Sequence, residues 1–577
     1  MKIMDYRKEY ENWLNNSYFD DEVKKELENI RDNEKEIEDR FYKELEFGTA
    51  GLRGVVGYGT NRMNKYTVGK ASLGLANYIV KKNGQERGVA IAHDCRHMSK
   101  EFCEQTALIL NSKGIKTYVF DDLRPTPELS FAVRELGCIS GIVITASHNP
   151  PEYNRYKVYW EDGAQIISPV DEEIIAEVNT ITDYSQITMM DKVEAIQKGL
   201  YNVLSSEMDD KYIEAIKKNI LNLDSIKEQV DNLKVVYTPL HGTGAKLVTR
   251  ILNELGFNKI YTVQEQMEPN GDFPTVDYPN PEDPAAFKMA LELAKKVEAD
   301  IVLANDPDAD REGMFVRDNN GEYVRFNGNM TALLIAEYLF SQMQEREILP
   351  ENGAMIKTIV SSNLADAIAK GYNLKLYKTL TGFKHMAKVI RENEETNGPK
   401  VLFSYEESFG CIIGTHVRDK DGIVAIMSLC ELAAYYKSKG ISIYEQMQNI
   451  YKKYGYYLED QYTITIKGAE GAAKIKEMME KMRNNLPENI GKYKVKSISD
   501  YQLKKYRNLK TGEEKETTLP KSNVLYFELE DENWCCMRPS GTEPKIKMYF
   551  GVKKNSHEEA ESEVEYIRDQ MIRIVEN

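Results

Sequence analysis

Three times along this chain an apolar run of strand length stops at a polar loop. "CISGIVI" runs into "TASHNPPEYN", "EADIVLAN" into "DPDADR", and "KVLFS" into "YEESFG". Each lies in a series of short β-rich runs separated by helical stretches. The first series holds "RGVAIAHD" (87–94), "GIKTYVFDD" (114–122) and "GCISGIVITA" (137–146). The second opens on "NLKVVYTPL" (232–240) and closes on "EADIVLAND" (298–306), and the third runs from "GAMIKTIVSS" (353–362) through "NLKLYKTL" (373–380) to "KVLFSYEES" (400–408). Strand, helix, strand with apolar strands builds parallel sheets covered on both faces. Ligands of such sheets bind beyond the carboxyl ends of strands, so three polar loops are expected to surround one cleft.

The two ends of the chain read differently. Residues 1–46 are helical and densely charged, with both signs at helical spacing, and predict a solvated helical extension. From "DQYTITIKG" (460–468) onward, strands joined through turns and helices set apart predict a smaller α+β domain. A length of 577 residues is too great for one core. The expected fold class is therefore α/β: three successive mixed or parallel α/β domains plus a smaller C-terminal α+β domain. The expected boundaries are 1–46, 47–205, 206–322, 323–455 and 456–577.

Net charge of −16 argues against a nucleic-acid partner, which favours a basic stripe. The seven cysteines form no CxxC pair, which suggests free thiols in a reducing, cytoplasmic compartment. No apolar stretch reaches the ~18 to 20 residues that span a bilayer. No membrane partner is expected.

In "NDPDADR" the carboxylates of Asp306, Asp308 and Asp310 alternate. Three such groups repel one another unless a cation sits among them. Arg311 and Arg317 stand where an EF-hand needs Gly and Glu, and hard oxygen donors without His or Cys favour Mg²⁺. In "TASHNPP", Ser147 is followed by His148, but no GxSxG elbow surrounds it. On an extended loop adjacent side chains point apart, which makes His148 a poor triad base. A serine that binds or carries phosphate beside the cation is the better reading. "RPSGTEPKIK" (538–547) offers an anion site: Arg538 for bidentate contact, Ser540 and Thr542 for hydroxyls, Gly541 for close backbone approach. Lys545, Lys547 and Tyr549 share one face of the strand that follows, and Ile546, Met548 and Phe550 the other. Glu406, Glu407 and Ser408 suit sugar hydroxyls, and "FGTAGLRG" sets Arg53 in flexible backbone suited to an oxyanion.

With these loops in this order, the chain resembles the α-D-phosphohexomutase superfamily, in its phosphoglucomutase and phosphomannomutase group. The resemblance runs from "FGTAGLRG" to the C-terminus, through "TASHNP", "DPDADR", "TGFKH", "EESFG" and "RPSGTEPK". It implies four domains around a cleft and reversible transfer of phosphate between positions 1 and 6 of a hexose. It implies that Ser147 carries the phosphoryl group and, with Asp306, Asp308 and Asp310, holds one Mg²⁺ per active site. Arg53, His148 and Lys157 would lie near the transferring group, and Lys420 at the position of a general base. Gly382, Lys384, Glu406, Ser408 and Arg311 would contact the substrate, and Arg538, Ser540, Gly541, Thr542 and Lys547 would take its non-reacting phosphate. A sugar bisphosphate would serve as intermediate and activator. Phosphomannomutase, phosphopentomutase and sugar-bisphosphate synthase on the same scaffold stay open. One departure stands out: the family often reads "YNGYK" where this chain has "YNRYK", so Arg155 occupies a usual glycine position and puts the placement of Lys157 in question.

Overall fold

The computed structural model of the protein describes residues 5–48, 51–466, 471–540 and 545–576. These fall into two compact units: one comprises the described residues of 1–331, 386–398 and 402–443, the other those of 332–385, 399–401 and 444–577.

Two α/β sheets build the first unit. In the six-stranded sheet the order is Gly51–Val55, Tyr153–Trp160, Ser140–Ile144, Val89–His93, Thr117–Phe120 and Tyr201–Leu204. The two pairings at its Gly51–Val55 end are antiparallel and the other three are parallel. The five-stranded sheet repeats the plan, with antiparallel Tyr323–Phe326 and Glu312–Arg317 beside parallel Ile301–Asn305, Val235–Thr238 and Ile260–Thr262. Every residue of Ser140–Ile144, Val89–His93 and Ile301–Asn305 is buried, as a strand covered on both faces requires. The expected strands are present, and the sheets are mixed. Antiparallel strands follow both polar loops directly, because a loop that ends a central strand doubles back beside it.

The N-terminal segment forms helices Tyr6–Asn15, Asp21–Asn29 and Glu34–Phe41, the first and third capped by the Asp5 and Asn33 side chains. It is helical, as its charge pattern predicts, but more than a solvated face. Tyr10, Trp13, Val23, Leu27, Ile37 and Phe41 recur at helical spacing and bury a cluster with Phe19 and Tyr66. Trp13 stacks on Phe19 at 4.2 Å and meets the rings of Tyr66 and Tyr184 edge-on. Arg40 bridges Glu26 (2.5 Å) and the Tyr58 carbonyl (3.0 Å), tying the helices to the turn that follows Gly51–Val55.

The second unit holds the parallel pair Gly353–Thr358 and Lys375–Thr379, and an antiparallel sheet. From its edge strand inward, Tyr456–Thr465, Lys545–Lys554, Trp534–Pro539, Leu525–Leu529 and Tyr493–Asp500 are successive neighbours. Helices Gly471–Asn484 and His557–Glu576 fill its core with Ile475, Met479, Ile567 and Met571 against Ile546, Met548 and Phe550. The alternation expected of the strand after "RPSGTEP" is present.

Candidate active site

The metal loop begins where Ile301–Asn305 ends. Asn305 fixes its width: Tyr237 Oη donates to Asn305 Oδ1 (3.0 Å), and Asn305 Nδ2 donates to the Arg311 carbonyl (2.7 Å). Ala309 takes a left-handed φ of 51°, and the chain returns as Glu312–Arg317 with Glu312 opposite Asn305. This hairpin brings one carboxylate oxygen each of Asp306, Asp308 and Asp310 within 4.8 Å of one another, all three residues buried. Burial and the neighbouring carboxylates push Asp306 well above the usual carboxylate range. Burial opposes the charge on Asp308 as well, but Lys157 and hydrogen bonds from Asp306 and Thr126 outweigh it and hold that carboxyl down. Asp308 Oδ1 and Asp310 Oδ1 are buried and accept no hydrogen bond among the described residues. Open lone pairs and clustered negative charge fit a hard divalent cation.

Ser147 faces this cluster. Its Oγ donates to Asp306 Oδ2 at 2.5 Å, and His148 Nδ1 lies 3.1 Å from the Ser147 Oγ. The contact with His148 corrects the expectation that the two side chains diverge. Ser147 is left-handed, with φ of 52°, so its side chain turns toward that of His148. No carboxylate orients His148 among the described residues, and burial with Arg311 nearby pushes its imidazole well below the usual range. A Ser-His-Asp triad is not built here.

Strand Tyr153–Trp160 supplies Lys157, whose Nζ donates to Asp308 Oδ2 at 2.8 Å. Arg155 does not disturb this placement, because position 155 is ordinary extended strand that needs no glycine. The obligatory glycine is Gly51: its φ is 106°, and a Cβ there would run into the Tyr156 carbonyl oxygen. That close pairing sets Arg53 directly opposite Arg155. Lys420 Nζ lies 3.0 Å from Asp310 Oδ2 and 3.1 Å from Asp419 Oδ1. Burial disfavours its charge, but Asp310 and Asp419 outweigh burial and hold the ammonium strongly protonated. Lys420 reaches the cluster by crossing Gly410, where any Cβ would strike its stem. Arg311 pairs with Glu282 at 2.8 Å. Glu406 ends its strand buried, and Ser408 is half-buried in the turn that follows.

Within the second unit, Arg538 donates to Thr381 Oγ1, beside Gly382 (φ 111°) and Lys384 of the "TGFK" loop. Lys547 is the cross-strand neighbour of Arg538, and the Ser540 N–H closes the turn on the Lys545 carbonyl (2.8 Å). Gly541 and Thr542 lie outside the described residues.

Three supporting groups carry no conspicuous sequence signal. Thr126 Oγ1 donates to Asp308 Oδ2 (2.8 Å) and its N–H to the Asp308 carbonyl (3.0 Å). Asp419 accepts from Tyr159 Oη and Gln165 Nε2, both at 2.8 Å. The Arg96 guanidinium is buried under the Phe273 ring and donates to backbone carbonyls of the Ser147 loop. Only the position of "DCR" just beyond an apolar strand hinted at Arg96.

Comparison with known proteins agrees with this arrangement. The patterns for phosphoglucomutase/phosphomannomutase alpha/beta/alpha domains I, II and III match residues 44–185, 210–321 and 327–454. Phosphoglucomutase of Staphylococcus haemolyticus is 37% identical over 527 residues, covering 91% of this chain and 94% of that protein. Phosphoglucomutase of Staphylococcus epidermidis is 38% identical over 544 residues, covering 94% and 96%. Among solved structures, parafusin (phosphoglucomutase) from Paramecium superposes with a TM-score of 0.69 at 18% identity, covering 93% of this chain and 95% of that one. A phosphoglucomutase/phosphomannomutase family protein from Burkholderia thailandensis gives 0.65 at 19%, covering 91% and 96%. The fold, the ordered loops and relatives that span nearly the whole chain agree: it belongs to the phosphoglucomutase/phosphomannomutase family.

Proposed function

We propose that this chain is a phosphoglucomutase, which interconverts glucose 1-phosphate and glucose 6-phosphate through phospho-Ser147 and a sugar bisphosphate. The observation that carries the reading is the seat of Ser147 Oγ, 2.5 Å from Asp306 Oδ2. Such an oxygen is held where a phosphoryl group would meet the cation cluster. Close identity to the staphylococcal phosphoglucomutases supports glucose phosphates as substrates.

In the first half-reaction the Oγ–P bond of Ser147 breaks as a P–O bond to a sugar hydroxyl forms, and the hydroxyl proton passes to a base. In the second, the P–O bond at the other end of the bisphosphate breaks as Oγ–P re-forms, and the proton returns to the sugar oxygen. Transfer of this kind demands positioning and charge stabilisation more than covalent chemistry. Asp306, Asp308 and Asp310 would hold Mg²⁺, which when bound offsets the charge of the phosphoryl oxygens. Arg53 and Lys157 flank the transferring group, and His148 packs against the carrier oxygen. Lys420, held as an ammonium by Asp310 and Asp419, would accept the hydroxyl proton only after giving up one of its own. Glu406, Ser408, Arg311, Gly382 and Lys384 orient the sugar. Arg538, Ser540, Gly541, Thr542 and Lys547 take the phosphate that does not react. The division into domains at 47, 206, 323 and 456 assigns one such loop to each. Seven free cysteines fit a reducing cytoplasm, and no helix among the described residues is long and apolar enough to cross a membrane.

Intact mass of the purified wild type should carry a phosphate-sized increment that Ser147→Ala lacks. That variant should keep its fold and lose mutase activity, since a small loop hydroxyl contributes little packing. Normal turnover by Ser147→Ala would end the phosphoserine reading.

A further inference from the structure

Strand Tyr153–Trp160 sorts its side chains cleanly. Asn154 Nδ2 donates to the His97 carbonyl (3.0 Å) and Ser99 Oγ (2.9 Å), and Tyr156 lies in the core below the sheet. On the opposite face Lys157 meets Asp308, and Tyr159 Oη donates to Asp419. Arg155 belongs by period two to the face of Lys157 and Tyr159. Its guanidinium therefore stands on the side of Ser147 and the aspartate cluster.

Register brings a second guanidinium beside it. Arg53 is the direct partner of Arg155 across the antiparallel pair, where Cβ atoms lie about 5 Å apart and like charges repel. Burial and Arg53 together pull the Arg155 guanidinium below its ordinary range, and the more distant Tyr159, Asp308 and Asp419 offset this only in part. Among the described residues, the side chain of Arg155 makes no hydrogen bond and no ion pair within 4 Å; only its backbone is engaged, the N–H with Asn154 Oδ1 and the carbonyl with the Thr145 N–H. Lys157 is spent on Asp308, Lys420 on Asp310 and Asp419, and Arg311 on Glu282. A half-buried cation without a partner, set against a like charge, is unstable in isolation and is relieved by an anion between the two. Two guanidinium side chains on directly paired positions suit the oxygens of a phosphoryl group, which accept in bidentate fashion.

We propose that Arg155 is a phosphoryl-binding residue that acts with Arg53 on the group passing between Ser147 and the sugar. The proposal rests on the reading of Ser147 as the phosphoryl carrier. Its consequence is retention: an additional cation on the reacting end tightens the hold on the sugar bisphosphate while that intermediate turns over. Arg155 thus sets how often the bisphosphate escapes into solution, a property distinct from the gripping of the far phosphate.

The test compares wild type with Arg155→Met, Arg155→Gly and Arg155→Lys, using glucose 1,6-bisphosphate as probe in titration calorimetry and in turnover. Methionine keeps apolar volume in the strand without charge, and lysine keeps the charge without the fork. The Met and Gly variants should bind the bisphosphate about 10- to 100-fold more weakly, the loss expected for one charge-assisted contact. They should also release more bisphosphate per turnover, with circular dichroism unchanged. Lysine should recover part of the affinity, which a purely structural role would not give, and it is measurable even if the truncations unfold. A folded Met variant that binds the bisphosphate within twofold of wild type and releases no more of it, or a folded Lys variant that recovers nothing over Met, would overturn the proposal. Wild type that carries no phosphate on Ser147 would instead overturn the reading on which it rests.

Discussion

Arg96 donates to the carbonyl oxygen of Ser147 at 2.5 Å, and the same guanidinium reaches the carbonyls of Asn149, Pro150 (2.7 Å) and Tyr153 (3.1 Å). Ser147 is a non-glycine residue at φ of 52°, a conformation that costs on the order of 1 kcal/mol and persists only where surroundings enforce it. Four carbonyls drawn to one buried cation enforce it here. Arg96→Lys keeps the charge but cannot span the four acceptors, so the serine oxygen should drift. A displacement near 1 Å lowers kcat by about 100-fold with little change in KM. Steady-state kinetics beside circular dichroism would measure this; an unchanged kcat would show that the loop holds its own shape.

Asp308 is the central carboxylate of the acidic loop and is fixed by Thr126 and Lys157. Asp308→Asn removes one of three anionic donors and should raise the Mg²⁺ concentration for half-maximal activity by about tenfold or more. Chelator should stop the wild type and Mg²⁺ restore it. Full activity in chelator would make the loop structural.

Arg538 and Lys547 adjoin across their strands and should bind the phosphate distant from the chemistry. Binding energy from a remote group assists the reacting end, so Arg538→Ala should lower kcat/KM for glucose 1-phosphate, tenfold for each ~1.4 kcal/mol lost. Slow hydrolysis of phospho-Ser147 by water, which carries no distant phosphate, should change far less. Equal loss in both reactions would place Arg538 in the fold instead.

Half-buried Glu459 and buried Lys357 in the second unit predict a dependence of stability on pH. Burial pushes the Glu459 carboxyl up to about 7, only partly offset by Ser362 and Lys357, and its Oε1 accepts no hydrogen bond. Between an unfolded value of ~4.3 and 7 the native state holds the extra proton, so stability falls as pH rises, by about 3 kcal/mol once pH exceeds 7. Burial likewise pulls Lys357 down to about 8, with Asp366 opposing, so its penalty is full below 8 and fades above. Glu459→Gln should gain on the wild type steadily from pH 5 to 7 in urea midpoint. A constant difference between the two proteins would show that Glu459 does not titrate there.

Strands and polar loops were legible in the sequence because apolar runs and Gly, Pro and Asp punctuation are local signals. The loops that carry Ser147 and the three aspartates were legible for the same reason, through motifs only a few residues long, whereas Lys157 was marked only by the resemblance. Arg96, Thr126 and Asp419 were not, since each acts through a partner distant in the chain: Thr126 and Asp308 stand 182 residues apart. The position of His148 was misjudged because the left-handed turn at Ser147 depends on Arg96, which no local pattern reveals. The helical face of residues 5–41 read as solvated because its aromatic residues find their cover in Tyr66 and Tyr184.

That last arrangement bears on the order in which the chain is made. Trp13 and Phe19 leave the ribosome before Tyr184, which closes over both and follows Trp13 by some 170 residues. At about 5 to 20 residues per second, the first helices spend on the order of 10 to 30 seconds with an aromatic surface uncovered. The mixed charges along their outer faces keep that nascent segment soluble meanwhile, and a chaperone that binds aromatic stretches would find its window there.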